Sequence, residues 1–87
     1  MTDAPRIEFP CPYPIRIIGR DDDDFPRAVL HVVRQHAPEV TPDEVNMRRS
    51  SGGRYVSVAV TLMATGEEQL KALHADLMRN PLVKLVL

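Results

Sequence analysis

The chain has 87 residues, of which 26% are charged and 44% are hydrophobic, and its formal net charge is −1 at pH 7. A chain of this length forms one small domain, and this composition excludes a disordered, fibrous or membrane-spanning protein. The nearly balanced charge lacks the basic excess of proteins that bind nucleic-acid phosphates strongly, so nucleic acid is not an expected partner.

Residues 1–12 form a proline-rich segment. We predict an extended, partly disordered lead-in there, because proline lacks the backbone donor that a strand needs. Residues 13–18 alternate in the manner of a first strand, with Ile15 and Ile17 on one face. Gly19 is predicted to end this strand.

Four consecutive aspartates, Asp21 to Asp24, precede the first predicted helix. The helix is indicated by residues spaced three and four apart, namely Phe25, Ala28, Val29, Val32, Val33 and His36. Pro38 ends it. We predict that Asp23 or Asp24 caps its first turn, where carboxylates also favour the helix dipole. A calcium loop needs oxygens that alternate with other residues and a glycine at the bend, so no metal site is expected.

Two further strands and a second helix follow. Residues 45–48 and 55–63 alternate around the turn sequence SSGGR and predict a hairpin. Thr65 and Glu68 have the spacing of a capping box in front of a helix that ends near Pro81. Residues 83–87 predict a last strand, with Val83, Leu85 and Leu87 inward and Lys84 and Val86 outward.

The predicted element order is β-α-β-β-α-β, which indicates an α+β, ferredoxin-like sandwich over residues 13–87. Both helices then cover one face of a four-stranded antiparallel sheet with the strand order four, one, three, two. The helix-free face is predicted to present Arg16, Ile18, Asn46, Arg48, Ser57, Ala59, Thr61, Lys84 and Val86. A mixed apolar and basic open sheet of this kind favours a bound partner.

Several stretches of the chain resemble the YbeD-like family of small bacterial proteins. They are EFPCPYPIRIIG, VVRQHAP, RRSSGGRYVSVAV, GEEQLKAL and LVKLVL, which together extend from Glu8 to Leu87. The resemblance implies a ferredoxin-like fold similar to ACT-type regulatory domains, without established catalysis and with a hinted link to lipoate metabolism. It implies no catalytic residues. The glycine that such domains commonly carry after the first strand, as the first helix begins, is replaced here by Asp24, Phe25 and Pro26.

Two other functions of this fold are weighed against that interpretation. An acylphosphatase-type hydrolase would use Arg20 and Asn46, but the aspartates would repel its anionic substrate. RNA recognition would need exposed aromatic residues on the central strands, where only Tyr55 lies near. We therefore predict a protein that is not an enzyme, with no catalytic residue and no cofactor.

The candidate binding residues are Arg16, Arg48, Arg49, Ser50, Ser51, Gly52, Gly53, Arg54, Tyr55 and Ser57. They fit a regulatory or adaptor domain that binds a protein partner or a small metabolite, and a homodimer is expected. The alternative is a small-anion sensor in which residues 50–55 form a nest of amides and hydroxyls. The lone Cys11 cannot form an internal disulfide and no signal peptide is recognisable, so the cytoplasm is the expected location, without membrane attachment.

Overall fold

The computed structural model describes residues 8–50 and 52–87. Most of the proline-rich lead-in, residues 1–7, and the candidate residue Ser51 lie outside these ranges. The elements in chain order are β1 (Cys11–Arg20), α1 (Phe25–His36), a short 3-10 helix (Pro42–Glu44), β2 (Asn46–Arg49), β3 (Tyr55–Ala64), α2 (Glu67–Met78) and β4 (Val83–Val86).

The strands form one antiparallel sheet in the order β2-β3-β1-β4, which confirms the predicted ferredoxin-like fold. The two ten-residue strands β1 and β3 pair along their whole length, from Cys11 opposite Ala64 to Arg20 opposite Tyr55. The short strands β2 and β4 flank them. Along both central strands, buried side chains alternate with more exposed ones, as a sheet covered on one side requires.

The core lies between the sheet and the two helices. It is built from the inward residues that the two periodicities predict: Ile15, Ile17, Val56, Val58, Val60 and Leu62 from the sheet, with Phe25, Val29, Val33, Leu73 and Leu77 from the helices. Two loop residues, Ala37 and Val40, complete it after α1. Met78 has helical spacing with Leu70, but unlike Leu77 it is largely exposed.

The first strand begins at Cys11, two residues earlier than predicted, and contains Pro12 and Pro14. The amide of Arg16 donates to the β4 side of β1, at the Leu87 carbonyl oxygen, 3.1 Å away. Alternate residues send their nitrogens to the same side, so both proline nitrogens face the edge of β1 beyond the residues that pair with β4. Proline is tolerated there because no hydrogen bond between strands is lost. The predicted lead-in, residues 1–12, therefore extended two residues into the strand.

Val83 is buried at the start of β4, as predicted, but the faces of Leu85, Val86 and Leu87 were predicted wrongly. The register shifts between Ile18 and Gly19, so that Ile18 lies opposite Leu85 and Gly19 lies opposite Val83. This bulge places Val86 opposite the buried Ile17, and it turns Leu85 to the helix-free side. A two-residue alternation cannot reveal such an extra residue.

The predicted helix caps also differ from the observed ones. Asp24 occupies the N-cap of α1, but its side chain makes no capping bond, and Asp22 Oδ1 instead accepts from the Asp24 amide at 2.9 Å. The Thr65 capping box is absent, because α2 begins at Glu67 after Gly66. Gln69 Oε1 accepts from the Thr65 amide at 2.7 Å.

A polar bridge joins the two helices. His36 Nε2 lies 2.6 Å from Asp76 Oδ2, and both side chains are part-buried. The side-chain Nε2 of Gln69 donates to the carbonyl oxygen of His36, the last residue of α1, at 2.9 Å. Helical spacing alone does not indicate this pair, because the two residues are forty positions apart on different helices.

Removing either side of this bridge is expected to weaken helix packing. We expect His36→Ala and Asp76→Ala each to lower the free energy of unfolding by about 1–2 kcal/mol, because each removes the bond between two part-buried groups; Asp76 keeps Arg79, 3.3 Å from its Oδ1, in His36→Ala. The double variant should cost about 1 kcal/mol less than the sum of the two. Urea unfolding of the four proteins measures this coupling, and strict additivity would contradict the contact.

Candidate functional site

We call the side of the sheet opposite the helices the open face. Pairing registers and strand alternation place fourteen outward residues on it: Pro12, Pro14, Arg16, Ile18, Arg20, Asn46, Arg48, Tyr55, Ser57, Ala59, Thr61, Met63, Leu85 and Leu87. The sheet positions of this set follow the sequence prediction on β1, β2 and β3. On β4 the bulge replaces the predicted Val86 by Leu85.

Apolar surface is concentrated on the open face. Among the described residues, six large hydrophobic side chains are well exposed, and four of them lie here: Tyr55 at 45%, Met63 at 43%, Leu85 at 47% and Leu87 at 63%. The other two are Met47, on edge strand β2, and Met78. Such a grouping on one side of a small domain is typical of an interaction surface.

A shallow groove runs along the open face. One depression of about 480 Å³ is lined by Pro14, Arg16, Asn46, Thr61 and Leu87 among others, and a second of about 490 Å³ is lined by Arg16, Ile18, Asn46, Met47, Arg48, Ser57 and Ala59. A smaller one of about 200 Å³ extends from Ile18 and Ser57 to Ser50 and Tyr55. Because neighbouring depressions share lining residues, we treat them together as the central groove.

Three arginines line the central groove, and two of them, Arg16 and Arg48, have no ion-pair partner within residues 8–50 and 52–87. Asn46 and Ser57 add an amide and a hydroxyl to the same lining. One carboxylate, that of Glu44, lies at the far end, where it accepts from the Thr41 amide at 3.3 Å and hydroxyl at 3.0 Å. The middle of the groove is therefore basic.

Arg49 faces the acidic run instead of the groove centre. Its Nε lies 3.6 Å from Asp21 Oδ1 and its Nη2 lies 3.9 Å from Asp23 Oδ1. The Asp21 amide also donates to the Arg54 carbonyl oxygen at 3.0 Å, so the hairpin loop and the β1–α1 loop are joined. This arrangement gives the aspartates a structural partner, and it neutralises one arginine of the predicted anion nest.

The hairpin loop uses its own polar groups internally. Ser50 Oγ accepts from the Tyr55 amide at 3.2 Å, and the Ser50 carbonyl oxygen accepts from the Gly53 amide at 3.0 Å. Gly53 has φ of 68°, the left-handed conformation that glycine adopts most easily. Gly52 and Arg54 are exposed. The small-anion nest stays a prediction, with fewer free donors than its sequence suggested.

The described residues contain no group of three or more His, Cys, Asp or Glu side chains placed to hold a metal ion.

The acylphosphatase pair is not brought together: Arg20 lies opposite Tyr55, whereas Asn46 lies opposite Ala59. Those positions are separated by about 13 Å along β3, in addition to the width of that strand. No helix in the described part of the chain is long and apolar enough to cross a lipid bilayer.

The model of the family described as "Protein of unknown function (DUF493)" matches residues 4–87. The chain belongs to the DUF493 family. A UPF0250 protein of Azotobacter vinelandii is 45% identical to this chain over an alignment of 92 residues, including gaps, that covers both chains fully. Another, from Chromobacterium violaceum, is 42% identical over 93% of this chain and 91% of its own. The resemblance to the YbeD-like proteins is thereby confirmed.

Solved structures extend the comparison to the fold of this DUF493 protein. HP0495 from H. pylori superposes with a TM-score of 0.73 at 14% identity, covering 99% of this chain and 90% of its own. The ACT domain of GTP pyrophosphokinase from Chlorobium tepidum gives a TM-score of 0.61 at 16% identity, covering 87% and 94%. At these identities the likeness shows an ACT-like ferredoxin fold alone.

Proposed function

We propose that this protein is a non-catalytic regulatory or adaptor domain of the bacterial cytoplasm that binds a protein partner through its open face. The observation that carries the proposal is the grouping of exposed apolar and arginine side chains on the helix-free side of the sheet. A protein partner would bury this surface. Removing its apolar part from water is favourable in free energy. The ACT-like fold of the structural neighbours supports a regulatory module.

The shape of the central groove favours a protein over a small metabolite. Sites for small molecules are concave and bury most of the ligand, while this groove is shallow and continues along the sheet. The composition agrees, because tyrosine, methionine and arginine are enriched in protein interfaces. The link to lipoate metabolism remains a proposal that rests on the YbeD-like resemblance, and the identity of the bound protein would test it.

Substitution in the middle of the groove tests the proposal. Ala59 lies on the groove side of β3, so Ala59→Arg is expected to obstruct a partner while it leaves the core untouched. The matched control is Ala72→Arg on the exposed side of α2. The tagged parent protein and both variants are used to capture proteins from a native bacterial extract, and captured proteins are quantified.

We expect the parent and Ala72→Arg to capture equal amounts of a partner protein, and Ala59→Arg to capture at least about tenfold less of it. Circular dichroism of Ala59→Arg should match that of the parent. Equal capture by all three proteins would show that the open face is not the binding surface.

The homodimer is a separate proposal. β2 is an edge strand whose four residues, Asn46–Arg49, are all exposed, and an exposed edge can pair with the same edge of a second copy. Light scattering over a range of protein concentrations measures this directly, and a constant monomer mass would exclude it.

A further inference from the structure

We infer that the partner surface received by the open face is acidic, with apolar side chains next to its carboxylates, and that it belongs to a different protein. This inference rests on the proposed function and adds the chemistry of the partner. It concerns the central groove and the apolar residues on either side of it.

The two unpaired arginines of the groove lie in neighbouring rows of the sheet. Arg16 shares a row across the sheet with Ala59 and Asn46, and Arg48 shares the next row on that face with Ser57 and Ile18. Two strand spacings across and two residues along separate the backbones of the arginines by about 12 Å. Both side chains line the same depression, with Ser57 on the strand between them and Asn46 at the other end of the Arg16 row. Donors therefore converge on the groove from its two sides and its floor.

The second step concerns charge balance. Arg27, Arg49 and Arg79 each have a carboxylate within 4.0 Å, whereas Arg16 and Arg48 have none among the described residues. A guanidinium that is covered by a partner loses its hydration, and a neutral acceptor compensates this loss less well than a counter-charge does. A carboxylate offers the planar, two-pronged acceptor that arginine binds best. A partner that covers the groove must therefore bring acidic groups.

The third step is the apolar surroundings. Leu85 and Leu87 lie on one side of the groove arginines, and Met63 and Tyr55 lie toward the two ends of β3. A small free anion would cover little of this apolar surface. A protein segment that alternates acidic and apolar residues would satisfy both the arginines and the leucines.

The same charges argue against a second copy of this chain on the open face. A twofold-symmetric contact places the same patch on both sides, so the basic middle of one groove would face the basic middle of the other. Like charges brought together in this way disfavour association. The acidic run, Asp21 to Asp24, is held near the opposite loop by Arg49 and does not lie on the open face.

Synthetic peptides test the partner chemistry. The main probe is a ten-residue peptide in which glutamate alternates with leucine, compared with one that alternates lysine with leucine and one that alternates glutamate with serine. Free glutarate represents a small anion. Binding is followed by NMR amide shifts of the full chain, which locate each probe on the sheet.

The protein variants are Arg16→Glu with Arg48→Glu, and the control Arg27→Glu with Arg34→Glu on the exposed side of α1. We expect the glutamate–leucine peptide to shift the amides of the central groove and to bind at least about tenfold more weakly to the groove variant. The α1 control should bind it like the parent. The lysine–leucine peptide should bind the groove variant better than the parent, and rising salt should weaken the parent complex.

Three results would overturn the inference. They are equal affinity of the parent for the acidic and basic leucine peptides, equal loss in the α1 control, and shifts from the acidic peptide that lie outside the groove or do not saturate at millimolar concentration. Groove shifts by glutarate as strong as those of the peptide would assign the site to small anions and would also refute a protein partner. The proposed function is tested separately. If Ala59→Arg retains the captured protein, the proposed function is wrong. If Ala59→Arg loses that protein and the groove variant keeps it, only the acidic chemistry of the partner is refuted.

Discussion

Replacing Gly19 with alanine is expected to destabilise the protein more than any other single methyl group added to a glycine of this fold. A Cβ at Gly19 would overlap ring atoms Cζ and Cε1 of Phe25 and would lie 2.5 Å from the carbonyl oxygen of Leu82. The carbonyl belongs to the backbone in front of β4, and the ring is fully buried, so neither neighbour has free space. We expect a loss of at least about 3 kcal/mol in the free energy of unfolding, because an overfilled core must shift its surroundings.

The measurement is urea unfolding, supported by a thermal midpoint that should fall by about 10–20 °C for a domain of this size. Gly66→Ala is the matched control, because a Cβ there has no neighbour within 4 Å and the backbone is extended, with φ of 172°. Its stability should remain close to that of the parent. If Gly19→Ala were as stable as Gly66→Ala, the ring of Phe25 would not lie against the strand.

A double variant separates the two obstacles at Gly19. Phe25→Leu removes the ring and leaves the Leu82 carbonyl oxygen in place. Gly19→Ala combined with Phe25→Leu is therefore expected to recover only part of the loss, so that the two substitutions are not additive. Full recovery would assign the whole effect to the ring.

Phe25→Ala is expected to have the second large effect, with a loss of about 3–5 kcal/mol. The side chain is 0% exposed and is the largest of the fully buried ones. Its removal opens a cavity between α1, Gly19 and the loop before β4, where the neighbouring backbone is already held by the bond from the Arg20 amide to the Leu82 carbonyl oxygen at 3.0 Å. The free energy of unfolding of an 87-residue domain is about 4–13 kcal/mol in total, so this loss removes a large part of it.

Tyr55→Ala is the control for this prediction, because it removes an aromatic ring from the open face instead of the core. It should cost much less than Phe25→Ala in urea unfolding. Comparable losses in the two variants would mean that the open face contributes to stability like a core, which would argue against its role as a free binding surface.

The fold was accessible from the sequence because its signals are local. The alternation of Ile15 with Ile17, and the helical spacing of Phe25, Val29 and Val33, each mark one face of one element, and those faces form the observed core. Short connections and right-handed crossovers then leave few topologies for the order β-α-β-β-α-β. The residues of the candidate site could be predicted only in part from the sequence. Arg16, Arg48, Tyr55 and Ser57 do lie on the open face, as strand alternation predicted.

The missed features depend on which strands meet and where. Pro12 and Pro14 mark a break in a strand when they are considered alone, but they are harmless on the side of β1 that lacks a partner at those positions. Leu85 was placed on the wrong face because one extra residue at the β4 bulge reverses the alternation. The partner of Asp76 is forty positions away, on the other helix.

Periodicity and turn residues were enough to define the helices, the strands and the side of each that is buried, because those preferences act over a few neighbouring residues. The depth of the groove, its two unpaired arginines and the diversion of Arg49 to Asp21 and Asp23 were decided only when distant segments packed together. Charge pairing depends on distances in space, and in this protein it is what separates a structural arginine from one that is free to bind.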